Sequence, residues 1–181
     1  EAAMLGTGIL KGPFSFNKAL HRWTDGAEGR EYKPTHVRVP RIEFVSCWDF
    51  YPDPNATTME ECEYVVHRHK MNKSQVRQLK NMPYFDKDAI RECLQKGPNY
   101  TTRYFENQIL NDDSKAPSDF TDRFEILEYW GVMDADYARE VGIDLPESVD
   151  DLDEVQINAW TCGDYLLRAV INPFTPPTLP Y

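Results

Sequence analysis

The sequence predicts an α+β fold: an antiparallel β-meander or mixed sheet packed with several short helices. Three observations predict it. Polar and apolar residues alternate with a period of two near residues 63–71, 123–133 and 154–171. Helical signals are short and separately capped, the cleanest lying between Asp86 and Gly97. Thirteen prolines and 13% aromatic residues among 181 suit a loop-rich sheet better than a helical bundle.

The first part of the chain, residues 1–56, reads as β-rich. Gly6-Thr7-Gly8 and Gly12-Pro13 are turn residues around a short apolar stretch, without the lysine and hydroxyl residue of a phosphate loop. Residues 14–23 read as a strand ending at Trp23, and 25–29 as a turn. From Thr35 to Cys47 alternation continues, interrupted at Pro40, which suggests two extended pieces with an edge or a bulge at the proline. The run Trp48-Asp49-Phe50-Tyr51-Pro52-Asp53-Pro54 reads as a rigid aromatic loop, because its two prolines disfavour a helix or central strand.

Residues 57–111 read as one strand plus helices. Thr57-Thr58-Met59-Glu60 has the pattern of a capping box, predicting a short helix over 58–62. Glu63 to Met71 reads as a strand. Ser74 is the expected cap of a helix carrying Val76 and Leu79. Asp86 caps a second helix with Ala89, Ile90, Cys93 and Leu94 on one face and Gly97 beyond its end. A third helix is expected between Thr101 and Leu110, followed by an acidic loop.

Residues 122–172 read as a β-meander with an acidic helical insertion. Arg123 to Met133 is a strand, Asp134 to Val141 a short helix, and Glu154 to Thr161 a strand. Cys162-Gly163-Asp164 turns the chain into a last strand, Tyr165 to Ile171. Residues 173–181 form an extended, proline-rich exit. The chain opens at Glu1 and stops at Tyr181, which reads as a piece of a longer protein.

The net charge is −10, the pI about 4.8 and the mean hydropathy −0.62. No apolar run reaches the length of a membrane span, so none is expected. The first forty residues are slightly basic, while acids dominate from Asp112 to Glu154. The clustered lysine and arginine that neutralise phosphates in a tight nucleic-acid binder are missing. Four widely spaced cysteines form no C-x-x-C pair, and packed, reduced thiols are expected over a disulfide framework.

Three constellations bear on chemistry. His67 and His69 share one strand face, a spacing that can chelate a metal with Cys62 or Asp49 as a third ligand. A polar strand face is the plainer reading. Asp49 and Asp53 flank the aromatic turn, where paired carboxylates can do acid–base work and, more simply, can cap backbone N–H groups. Asp134, Asp136, Asp144, Glu147, Asp150, Asp151, Asp153 and Glu154 lack the ligand order of a calcium loop and read as a solvated acidic face. A metal-dependent hydrolase built on Asp49, Asp53, His67 and His69 is the alternative function; the residues alone favour a non-enzymatic module with no cofactor.

The order of the pieces carries a resemblance. Gly6-Thr7-Gly8 with Lys11 and Pro13 is followed by Val39-Pro40, then Asp53-Pro54-Asn55-Ala56, then Tyr64-Val65-Val66-His67-Arg68. Glu128-Tyr129-Trp130-Gly131 comes next, then Trp160 in a strand, then Ile171-Asn172-Pro173-Phe174 and Pro180-Tyr181. This series resembles the middle of the portal, or head-to-tail connector, proteins of short-tailed bacteriophages. The resemblance implies a structural subunit of a ring of about a dozen copies at one capsid vertex. It implies the α/β wing region of such a subunit, without catalytic residues. The implied partners are other copies of itself, the terminase, the capsid or scaffold protein, tail or adaptor proteins, and double-stranded DNA passing through non-specifically. The implied location is the virion, and the host cytoplasm during assembly.

Overall fold

The computed structural model describes residues 6–26, 29–100, 122–146, 149–150, 153–174 and 178–181. It is α+β, with two antiparallel sheets and a few short helices. The chain divides into two compact units, Glu1–Trp48 with Pro180–Tyr181, and Asp49–Leu179.

The first unit is a long hairpin. Strand β1 (Ile9–Gly26) pairs antiparallel with β2 (Gly29–Val45) along nearly its whole length. The register slips between Lys11 and Phe14, at the Gly12-Pro13 step. A Cβ at Gly12 would sit 2.8 Å from the carbonyl oxygen of Arg41, so only glycine fits where the strands close up there. Pro40 neither divides the strand into two pieces nor marks a bulge, but it does lie on a sheet edge, as one of the two expectations had it. Pro40 pairs with Ser15 inside a continuous strand, as an edge position permits.

The second unit holds a five-stranded meander in the order β3 (Phe50–Pro52), β4 (Tyr64–Met71), β5 (Phe124–Asp134), β6 (Glu154–Cys162) and β7 (Tyr165–Ile171). All neighbours are antiparallel. The aromatic segment expected as a loop therefore contributes a strand. Phe50 to Pro52 pairs with His67 to Val65, with Pro52 at the strand's end on the sheet edge. The helix expected at 58–62 is absent as well. Glu61 Oε2 accepts from the Thr57 N–H and closes a turn instead. The β6–β7 turn at Gly163-Asp164 is as expected, since Gly163 has a φ of 59°.

Helices cover both faces of this sheet. Helix α1 (Lys73–Leu79) is capped by Asn72, not by Ser74: Asn72 Oδ1 accepts from Gln75 N and Gln75 Oε1 accepts from Asn72 N. Helix α2 (Lys87–Lys96) starts at the Asp86 cap and stops at Gly97, whose φ of 97° ends the helical path. Val76, Leu79, Phe85, Ile90 and Cys93 pack on Phe124, Ile126, Cys162 and Leu167 of the sheet. Each fully buried aliphatic side chain here stabilises the fold by about 2 kcal/mol. On the opposite face, Ala138 of helix α3 (Ala135–Glu140) and Ile143 cover Ile157 and Ala159. The expected helix between Thr101 and Leu110 and the acidic loop after it lie outside the described residues. No helix among the described residues is long and apolar enough to cross a membrane.

Candidate functional site

The register of the meander aligns a row of ionisable and aromatic residues across the face that α1 and α2 cover. Phe50 pairs with His67, His67 with Glu128, Glu128 with Trp160, and Trp160 with Arg168. A register irregularity between Trp160 and Thr161 leaves Leu167 as the extra residue and brings Arg168 into line. A neighbouring row places Trp130 opposite both Val65 and Asn158.

Glu128 is the centre of this row and is almost completely buried. A buried carboxylate needs partners for its oxygens. Trp130 Nε1 donates to Oε1 at 2.7 Å, with the Asn158 amide at 3.5 Å from the same oxygen. Oε2 faces the two histidines, 2.7 Å from His69 Nε2 and 3.7 Å from His67 Nδ1. The histidine rings lie with centroids 4.0 Å apart, and His69 stacks on Trp160 at 4.8 Å. Trp160 in turn donates to Asn158 Oδ1 and meets the edge of Phe85. Arg168 spreads over the Phe85 ring, and its Nε has no hydrogen-bond partner among the described residues. Burial pushes the Arg168 guanidinium below its ordinary value, while the Glu128 charge opposes that shift.

His67 and His69 thus come together as their alternation predicts, but their acidic neighbour is Glu128. His67, His69 and Glu128 are the one group of three or more ligating side chains among the described residues able to surround a metal ion. Sequence reasoning missed Glu128, because its place opposite His67 depends on a register between strands far apart in the chain. Its signal was a single charge on the apolar phase of an alternating strand.

The other candidates are engaged elsewhere. Asp49 Oδ1 accepts from Arg68 Nε and Nη2, both at 2.7 Å, and lies 3.1 Å from Lys70 Nζ. Arg68 and Lys70 occupy the alternate phase of β4, opposite to that of the histidines. Asp53 Oδ1 accepts from Asn55 N, the turn-capping role its Asp-Pro context suggests. Cys62 Sγ is placed against the Thr58 carbonyl oxygen. Asp136 and Asp153 hold backbone N–H groups of Tyr137 and Asp150. Glu147 and Asp151 lie outside the described residues. All four cysteines are free thiols, with Cys93 and Cys162 buried.

No protein-family model matches the chain, and no curated protein shows significant similarity to it.

Proposed function

We propose that the chain is a structural subunit of a viral portal ring, forming part of the capsid-vertex conduit for DNA packaging and ejection and of the head–tail attachment point. The observation that supports this reading best is the β1–β2 hairpin. It exposes Leu10, Phe16, Trp23, Tyr32, Val37, Ile42 and Phe44, with Trp23 67% exposed. A two-stranded ribbon of this length with so little buried is marginal alone, and its free edges and apolar side chains call for a protein partner.

In a ring, that partner is the next copy of the chain. The charge distribution suits such an arrangement. The hairpin carries Lys11, Lys18, Arg22, Arg30, Lys33, Arg38 and Arg41 against few acids, within a chain of net charge −10. Basic and acidic surfaces of successive copies attract one another head to tail. An acidic conduit also leaves a polyanion free to slide, where lysine-rich walls would hold it. The mechanism is geometric and electrostatic, with terminase, capsid or scaffold protein, and tail or adaptor proteins as successive partners.

The first test is self-association of the chain by sedimentation velocity. The wild type is expected to associate in the micromolar range. A variant with Phe16, Trp23, Ile42 and Phe44 changed to threonine or lysine is expected to stay monomeric with its sheet signal intact. A wild type that remains monomeric at every concentration tested argues against the reading.

A further inference from the structure

Two histidines and a carboxylate on adjacent strands suit one particular ligand, independently of the portal reading. We propose that His67, His69 and Glu128 form a binding site for a divalent transition-metal ion of the zinc class. Their ligating atoms all lie within 4.8 Å of one another. Around a tetrahedral zinc ion, ligand atoms about 2.0–2.1 Å from the metal stand roughly 3.4 Å apart, so small side-chain rotations suffice. Imidazole and carboxylate together match zinc, cobalt and nickel better than magnesium or calcium, which prefer oxygen ligands alone.

The surroundings are those of a supported site. Glu128 is held at Oε1 by the Trp130 indole, which leaves Oε2 aimed between the histidines. His69 is fixed by its stack on Trp160, itself anchored to Asn158. Such partners orient metal ligands and sharpen affinity. The histidine side chains retain 11% and 19% exposure, so an ion has a route to them. Without metal, His69 Nε2 and Glu128 Oε2 share a hydrogen bond. Metal binding takes the place of that proton, which moves to the other ring nitrogen or to solvent. The ion then ties β4 to β5 at the middle of the meander and leaves a position open to water.

The test is a cobalt titration of the 181-residue chain, followed by displacement with zinc. One ion per chain is expected, with the intense visible bands of four-coordinate cobalt and without near-ultraviolet thiolate charge transfer. The bands are expected to persist when the exposed hairpin histidines are changed together (H21A/H36A) and to vanish in Glu128→Gln. Trp130→Phe, which removes the orienting donor, is expected to weaken binding about 10-fold. Should Glu128→Gln not fold, the wild type decides alone: NMR must show the His67 and His69 ring signals, and not those of His21 and His36, moving with one equivalent of zinc. Absent bands, thiolate ligation, bands that survive in folded Glu128→Gln, or zinc shifts confined to His21 and His36 overturn the proposal.

Discussion

Asp49 and Arg68 form a partly buried ion pair in which one carboxylate oxygen lies 2.7 Å from two guanidinium nitrogens. The Arg68 side chain has no exposed surface, and its charge is placed between the rings of Tyr51 and Tyr100, each 5.8 Å away. Removing the carboxylate charge weakens the support of a buried guanidinium. Asp49→Asn is expected to destabilise the chain by about 3 kcal/mol. Urea denaturation measures it, and a loss below about 1 kcal/mol shows that water reaches Arg68.

Gly131 is the second sensitive position. Tyr64 and Tyr129 stack across β4 and β5 with centroids 6.1 Å apart, and Tyr129 donates to the Val132 carbonyl. A Cβ at Gly131 would lie 2.6 Å from both the Tyr129 hydroxyl oxygen and Tyr64 Cβ. Gly131→Ala is therefore expected to cost about 1–3 kcal/mol by overpacking. An unchanged thermal midpoint would show that the ring pair gives way freely.

Tyr129 also sets a pH dependence. Burial, then the nearby Tyr64 and Glu63, raise its phenol above the ordinary value of 10.0. Its protonated form is thus favoured in the folded state. The contribution is complete below the unfolded pKa of about 10 and is lost as pH rises through the folded one. Denaturation between pH 8 and 11 is expected to show a steeper alkaline loss for the wild type than for Tyr129→Phe. Parallel curves would contradict this.

Cys93 and Cys162 bring a helix and a strand together, with sulfurs 2.7 Å apart in a buried setting. Their shared proton holds the Cys93 thiol below its ordinary value and the Cys162 thiol above it. Oxidised glutathione is expected to join them slowly, since attack awaits local opening. The two thiols lose two electrons and two protons, and the oxidant leaves as two molecules of reduced glutathione. Peptide mapping should find the Cys93–Cys162 link; a map with only Cys47 or Cys62 modified would refute it.

Local chemistry made much of this fold legible. The Asp86 cap, the Gly97 stop and the Gly163 turn all act where their residue types suggest. The meander strands follow their alternation closely. Thr57 to Glu60 misled because Glu61, not Glu60, reaches back to the first N–H and closes a turn. Asn72 displaced Ser74 because its reciprocal bond with Gln75 satisfies two donors together. Two of the three residues of the candidate site were legible: the histidine spacing is local, whereas the Glu128 partner is set by cross-strand register. The Asn172-Pro173-Phe174 element also gains a physical reason. The buried Asn172 amide donates to Gln156 Oε1 and the Thr178 carbonyl, while Phe174 rests on Trp130.

The most direct test of the central proposal is electron microscopy of the protein at micromolar concentration and above. Rings of about a dozen subunits around a hole wide enough for duplex DNA are expected. A protein that stays a compact monomer under these conditions would contradict the portal proposal.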